Sequence, residues 1–230
     1  MKLSRILSNQ NGVSRKQANA LIAGGTVMVD GVVCREAARE VDRFSTVTSQ
    51  GSIIQAGESA HYLMLHKPAG YLSATTDQVH KTVMELIAPD LQKDLHIAGR
   101  LDRASTGLLI LTNDGNWSRR LTEPEIRIPK VYQVATASAI TPVTAERFAE
   151  GIWFEFEQLR TSSARLELLG AQEARVTIYE GRYHQIKRMF HAVGNRVTAL
   201  HRVSMGDIHL DGSLEPGAYR PLGKAEINSV

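Results

Sequence analysis

The sequence predicts an α+β protein in which a small, partly helical N-terminal part precedes a larger part rich in strands. Near the start of the chain, Leu3, Ile6 and Leu7 have the spacing of one face of a helix. Further along, the apolar run Leu108–Leu111 is short and bounded by turn residues, as in a buried strand, and residues 130–136 alternate polar with apolar. Helical and strand patterns in separate parts of one chain are typical of the α+β class.

The N-terminal segment combines two helices with a hairpin. Ser14 followed by Gln17 is a capping-box pattern that begins the second helix, and Gly24-Gly25 ends it. Residues 26–34 then predict two short strands joined by a tight turn at Asp30-Gly31.

A polar stretch with two glycines, residues 49–60, is the candidate linker between the two parts. It also contains a segment at 52–54 that could form a short strand. A chain of 230 residues can form two unequal domains, and we expect a first domain over residues 1–59 and a second over residues 60–230.

Composition restricts the class of protein and its compartment. Hydrophobic residues make up 43% and charged residues 22% of the chain, as in globular proteins. No apolar run reaches about 18 residues, and the first residues lack the apolar region of a signal peptide, so we expect a cytoplasmic protein without a membrane span. Cys34 is the only cysteine, which excludes an intrachain disulfide and a cysteine-based metal site. A net charge of +3 permits a nucleic-acid partner without establishing one.

The second domain begins with the buried-strand run Tyr62–Leu65, which ends at His66-Lys67-Pro68. Beyond it the patterns predict short helices over 82–87, 117–121 and 144–151, strands over 165–168 and 175–179, and a helix with the apolar stripe Ile186, Met189, Phe190 and Val193.

The stretch Gly99–Gly107 holds the strongest candidate for a catalytic group. Asp102 lies between Arg100 and Arg103 on a polar loop that leads into the buried strand. Rigid strands often hold reactive groups on such loops, and nearby arginines favour an ionised carboxylate. A fixed, ionised carboxylate can act as a nucleophile or as a base. The alternative is a surface aspartate in a salt-bridged turn.

The most basic stretch of the chain lies in its last quarter. From Gly181 to Gly206 there is no acidic residue. The five basic residues in this stretch are Arg182, Lys187, Arg188, Arg196 and Arg202. Such a charge pattern favours a polyanion as partner.

Tyr132 is the aromatic residue of the alternating strand over residues 130–136. It falls on the polar phase of the strand, facing opposite to Val131. An aromatic side chain at such a position serves packing more often than function.

Three stretches resemble the motifs of the RsuA-type pseudouridine synthases. Gly99–Asp102, followed by Ser105–Gly115, is similar to the first motif, which carries the catalytic aspartate of that family. Lys130–Tyr132 is similar to the second motif, whose tyrosine stacks on the target uracil, and such stacking is worth about 1–3 kcal/mol per base. Gly181–Met189 is similar to the third motif, whose basic residue pairs with the aspartate. Lys67–Gly70 and the closing segment 210–222 extend the resemblance over nearly the whole chain.

The resemblance implies roles for individual residues. It makes Asp102, Lys187 and Tyr132 the catalytic residues, with Leu200 packed beside the base. The residues implied to bind substrate are Arg100, Leu101, Arg103, Arg182, Gln185, Arg188 and Leu200. Among the basic residues, those expected to contact phosphates are Arg100, Arg103, Arg188, Arg196 and Arg202.

Residues 1–45 resemble the S4-type RNA-binding domain, chiefly through Gly12–Ala18 and Val27–Gly31. This resemblance implies RNA contacts from Arg5, Ser14, Arg15 and Lys16. From charge alone, a solvated basic face is an equally good interpretation.

The implied architecture is an S4-type helix-helix-hairpin domain followed by a catalytic domain built on a mixed, largely antiparallel sheet. The implied reaction isomerises a uridine of ribosomal RNA to pseudouridine, with no cofactor and no metal. Tyr183-His184-Gln185 is more similar to the small-subunit members, which implies 16S rRNA, at position 516 in the usual numbering, in an assembling particle. We expect a monomer. Three alternatives stay open: a 23S rRNA enzyme, a non-catalytic RNA-binding assembly factor, and a uridine glycosidase that would release free uracil.

Overall fold

The structure, a computed structural model, describes residues 1–230 and divides the chain into two units, Met1–Ala60 and His61–Val230. Each unit has its own hydrophobic core. No helix in either unit combines the length and the apolar character that crossing a bilayer requires.

The first unit packs two helices on a small sheet. Its elements are α1 (Leu3–Ser8), α2 (Arg15–Ala23), β1 (Val27–Val29), β2 (Val32–Val33), β3 (Val47–Ser49) and β4 (Ser52–Gln55). The strands are all antiparallel, in the order β2-β1-β3-β4. The predicted hairpin is therefore present, but it is half of a larger sheet. The stretch expected to be a linker contributes the end of β3 and all of β4, which covers the segment 52–54 that could form a short strand, so residues 49–55 belong to the sheet.

Local sequence explains the boundaries of this unit. Ser14 Oγ accepts a hydrogen bond from Gln17 N at 3.3 Å, and Ser14 N donates to Gln17 Oε1 at 2.8 Å, which confirms the capping box. Asp30 and Gly31 both have positive φ, 51° and 77°, as a type I′ turn requires. Short polar signals thus determine where α2 begins and where the hairpin turns.

The second unit is built on one large sheet. The strands of this unit are β5 (Tyr62–Lys67), β6 (His96–Ala98), β7 (Thr106–Thr112), β8 (Lys130–Thr136), β9 (Trp153–Phe154), β10 (Leu159–Arg160), β11 (Arg165–Leu168), β12 (Glu173–Ile178), β13 (Val197–Met205), β14 (Ile208–His209) and β15 (Tyr219–Pro221). Of these, β9 and β10 pair with each other in a separate two-stranded sheet. The helices of the unit are α3 (Gly115–Thr122), α4 (Pro142–Glu150), α5 (Gln185–Ala192) and α6 (Lys224–Asn228), with 3-10 turns at Val83–Leu86 and Pro124–Ile126. The segment 82–87, expected to be a helix, is only a 3-10 turn.

The large sheet has nine strands in the order β11-β12-β8-β13-β7-β5-β15, with β14 beside β13 and β6 beside β7. All its pairings are antiparallel except that of β13 with β7. This confirms the α+β class with a mixed, largely antiparallel sheet. Four strands of the sheet, β6, the central β13 and the short β14 and β15, were not predicted.

Both faces of the sheet are covered, which explains why β7 is apolar throughout. Leu109 and Leu111 pack into the core on one face, and Leu108 and Ile110 pack into the core on the other. Gly107, the second residue of the strand, has a φ of 103°, and a Cβ there would lie 2.3 Å from the backbone oxygen of Arg202. Only glycine allows β7 and β13 to approach so closely.

The orientation of Tyr132 differs from the prediction. Tyr132 is 6% exposed and belongs to the same core as Val134, whereas Val131 is only half-buried. The prediction that Tyr132 faces the polar side was therefore wrong. The buried face of β8 also carries Lys130, whose ammonium donates to the carbonyl oxygen of Ile128 at 3.1 Å.

Candidate active site

Asp102 lies on the loop between β6 and β7, and two basic side chains hold its carboxylate. Lys187 Nζ is 2.7 Å from Asp102 Oδ2, and His184 Nε2 is 3.3 Å from Asp102 Oδ1. The Asp102 side chain is 23% exposed, so it remains accessible while both of its oxygens are oriented. The contact between the Lys187 ammonium and the carboxylate joins two charged groups, and such contacts are among the stronger hydrogen bonds in proteins.

Arg202 fixes the backbone on the N-terminal side of Asp102. Its guanidinium is 1% exposed and donates to the carbonyl oxygens of Gly99 at 2.7 Å, Leu108 at 2.8 Å and Arg100 at 3.4 Å. The same group lies 3.5 Å from the Tyr132 hydroxyl. Arg202 therefore connects the start of the aspartate loop to Tyr132. The prediction that Arg202 contacts a phosphate was wrong, because this side chain is buried on one face of the sheet.

Lys67 fixes the backbone on the other side of Asp102. Its ammonium is fully buried and donates to the carbonyl oxygens of Ser105 at 2.8 Å, Pro68 at 3.0 Å and Arg103 at 3.2 Å. Burial lowers the pKa of Lys67 to about 8, although the nearby Asp102 carboxylate partly opposes this shift. The loop is thus held by buried cations on both sides of the aspartate.

A third contact holds the residue next to Asp102. Ser73 Oγ donates to the carbonyl oxygen of Leu101 at 2.7 Å and accepts from Leu101 N at 3.1 Å. Ser73 is buried, so water does not compete for this pair. The position of the carboxylate is therefore set by its neighbours in the loop as well as by its own contacts.

The turn before α5 positions His184, and the first turn of α5 positions Lys187, beside the carboxylate of Asp102. Glu180 is buried and accepts from Gln185 Nε2 at 2.8 Å and from Arg182 Nε at 3.0 Å, while Gln185 Oε1 accepts from Arg182 N at 3.0 Å. These bonds fold residues 180–185 into one orientation. His184 then has a φ of 50°, which is uncommon outside glycine and marks a constrained position.

A small pocket of about 70 Å³ opens beside Asp102. The apolar part of its lining consists of Leu101, Tyr132, Ile178, Ile186 and Leu200, and the polar part includes Arg100, Asp102, Arg182, His184 and Gln185. The pocket can accept a flat, partly polar ring next to a carboxylate.

The structure thus brings together most of the residues expected to form the site. Arg103 lies in an adjoining cleft, where its Nη1 is 3.1 Å from His80 Nδ1. Arg188 does not line the pocket. It forms a salt bridge with Glu157 and its guanidinium lies 3.7 Å from the centre of the Phe154 ring. A substrate contact from Arg188 would require it to leave both partners.

Four functional contacts were missed by sequence reasoning. They involve Lys67, Ser73, Arg202 and His184, which act on Asp102 or its loop although each is far from it in the sequence. Only the long-range pairing of strands brings them there, so no local pattern could have indicated the contact.

The three basic residues of the first unit that are expected to contact RNA lie on its surface. Arg5, Arg15 and Lys16 are exposed, whereas the Ser14 hydroxyl is used in the capping box. The structure leaves the three cations accessible to a partner and gives Ser14 a structural contact.

Comparisons with known proteins agree with this geometry. A family model described as RNA pseudouridylate synthase matches residues 61–192, more than half of the chain. Over 230 residues, and the full length of both proteins, the chain is 53% identical to the ribosomal small subunit pseudouridine synthase A of Pseudomonas aeruginosa. It is 44% identical to the protein of the same name from Escherichia coli strain K12, again over both full lengths. A crystal structure of a pseudouridylate synthase superposes with a TM-score of 0.73 at 37% identity, covering 100% of this chain and 99% of its own. The chain therefore belongs to the RNA pseudouridylate synthase family, among its RsuA-type members.

Proposed function

We propose that the protein isomerises one uridine of 16S rRNA to pseudouridine, at the position equivalent to 516, with Asp102 as the catalytic residue. The observation that carries the proposal is the Asp102 carboxylate, held by Lys187 and His184 at a pocket with an aromatic side chain in its lining. The names of the full-length relatives supply the class of RNA.

The reaction breaks the bond from C1′ of the ribose to N1 of uracil and forms a bond from C1′ to C5. The C5 proton leaves and N1 gains a proton, so no atom is added or lost overall. Asp102 either attacks C1′ or removes a proton from the sugar, and both roles need an ionised carboxylate beside the ribose. Because the product is an isomer, the residues of the pocket can carry the reaction without a cofactor.

Tyr132 and Leu200 retain the uracil while it is detached. Their side chains lie in the lining of the pocket, and stacking on an aromatic ring replaces the stacking that the base loses when it leaves the RNA. Ile178 and Ile186 add apolar surface that displaces water. Excluding water prevents the hydrolysis that would make the protein a uridine glycosidase.

Basic residues around the pocket and in the first unit bind the RNA backbone. Arg100, Arg103 and Arg182 lie at the clefts beside Asp102 and are placed to meet flanking phosphates. In the first unit, Arg5, Arg15 and Lys16 serve as a tether to the same RNA. The protein acts in the cytoplasm as a monomer, on an assembling small-subunit particle.

The test is to incubate the protein with 16S transcript, with and without ribosomal proteins, and to map pseudouridine. We expect one modified site, and none with Asp102→Asn, whose shape is nearly unchanged. Modification of 23S transcript alone would instead support the large-subunit alternative. Free uracil would support the glycosidase, and RNA binding without any product would support the assembly factor.

A further inference from the structure

We propose that Tyr183 and His184 form a second stacking site, which holds the base of the nucleotide next to the target uridine. The inference rests on the proposed function. The rings of Tyr183 and His184 are stacked, with centroids 3.9 Å apart and an interplanar angle of 19°. Tyr183 is 73% exposed, so the face of its ring away from His184 is free to receive a base.

His184 connects this pair to the reaction centre. Its Nε2 lies 3.3 Å from Asp102 Oδ1, and its left-handed backbone begins the turn into α5. The His184 ring therefore has little freedom, and it forms a fixed support behind Tyr183. A stacking surface that is ordered before the ligand arrives loses less conformational entropy on binding.

The position of the pair fits a neighbouring nucleotide. Tyr183 and His184 line a cleft of about 550 Å³ that adjoins the smaller pocket, and Arg100, Asp102 and Arg182 line both. Tyr132 lies in the smaller pocket and Tyr183 in the larger cleft. When the target uridine is inserted beside Tyr132, the adjoining RNA backbone runs past Asp102 into the cleft. The base of the neighbouring nucleotide there meets the ring of Tyr183, and Arg100 and Arg182 lie near its phosphate.

The ligand class is a single-stranded nucleotide with any base, since every base has a π-face. Stacking of one base on an aromatic side chain contributes enough that its loss weakens binding by about 5- to 150-fold. Tyr183→Leu removes the aromatic face and keeps apolar bulk, whereas Tyr183→Phe keeps the face. Phe156 is a matched control, because it is 95% exposed and lies outside both cavities.

The experiment measures binding without turnover, in full-length protein carrying Asp102→Asn. The probes are uridine 5′-monophosphate and trinucleotides with a central uridine and 2-aminopurine on its 5′ or 3′ side. We expect the trinucleotide to bind more tightly than the mononucleotide, with quenched 2-aminopurine emission on at least one side. Adding Tyr183→Leu weakens trinucleotide binding by about 5- to 150-fold and restores the emission. Tyr183→Phe and Phe156→Leu keep the tight binding and the quenched emission.

A second readout uses the active enzyme with 16S RNA. Tyr183→Leu is expected to lower kcat/KM by about 5- to 150-fold, with a much smaller effect on the saturated single-turnover rate. The stacking site is refuted if the trinucleotide gains nothing over the mononucleotide, or if Tyr183→Leu behaves like Tyr183→Phe. Failure of the proposed function has a different signature, because the parent enzyme would then form no pseudouridine whatever the binding data show.

Discussion

Replacing Arg202 with methionine tests whether this residue stabilises the aspartate loop from the buried core or contacts a phosphate of the RNA. The guanidinium makes two short hydrogen bonds, to Gly99 and Leu108, and two long ones, to Arg100 and Tyr132. A hydrogen bond from a charged group contributes about 1.5–3 kcal/mol. The two short bonds are therefore worth about 3–6 kcal/mol together. Part of this loss is offset, because a buried cation without a paired carboxylate is costly to desolvate.

We expect Arg202→Met to destabilise the protein by about 2–4 kcal/mol, which lowers Tm by roughly 4–16 °C for a domain of this size. The carbonyls of Gly99 and Arg100 lose their donor, so the aspartate loop shifts. A displacement of about 1 Å at a reacting group can cost about 100-fold in rate, and we expect a loss of that order in the single-turnover rate at saturating RNA.

The assays are thermal unfolding, single-turnover kinetics and RNA binding over a salt series. The salt slope is expected to be unchanged in Arg202→Met. In the exposed control Arg196→Met it is expected to fall by about 0.7, the value for one phosphate contact on single-stranded RNA. Normal Tm and rate in Arg202→Met, with a reduced salt slope, would refute the buried role.

Three further predictions use the same assays. Lys187→Met removes the 2.7 Å contact to Asp102 and is expected to slow the single-turnover rate at saturating RNA at least tenfold, with RNA affinity little changed. A wild-type rate with weakened RNA affinity would instead make Lys187 a phosphate contact. The pair Arg15→Ala and Lys16→Ala is expected to weaken binding of 16S RNA and to flatten its salt dependence, whereas an unchanged slope would remove the tethering role of the first unit. Folding lowers the pKa of Lys67 from 10.5 to about 8. Between these pH values the unfolded state binds more protons than the folded state, so this residue adds stability as pH rises. The free energy of unfolding of wild type, minus that of Lys67→Met, should therefore increase from pH 8 to 10.5, and a constant difference would contradict the shift.

Local sequence patterns were sufficient to predict the elements whose structure depends on residues close together in the sequence. The capping box at Ser14, the turn at Asp30-Gly31 and the apolar run of β7 each specify one element through short-range physics. The catalytic candidate Asp102 belongs to the same group, because its loop is delimited by glycine and by a buried strand. These features could be predicted before any tertiary contact was known.

The strand β13 could not be predicted, and its geometry explains why. Its pairing with β8 shifts register between Val197 and Ala199 and again between Arg202 and Ser204. Such bulges interrupt the two-residue alternation by which a strand is identified. The basic residues of this stretch were therefore interpreted as one surface that binds a polyanion. Arg196 is exposed at the surface, but the Arg202 side chain is buried on one face of the sheet.

The sheet register explains why distant motifs meet at one site. Lys67 pairs with Gly107, Gly107 with Arg202, and Arg202 with Tyr132, in one row across β5, β7, β13 and β8. Residues paired in this way project to the same face of a sheet, so the row places both buried cations and the tyrosine together. Gly107 lies between the cations where β7 begins, immediately after the aspartate loop. A slip of one residue in any of these pairings would turn Lys67, Arg202 or Tyr132 to the opposite face, and Asp102 would lose its supports even with every motif intact.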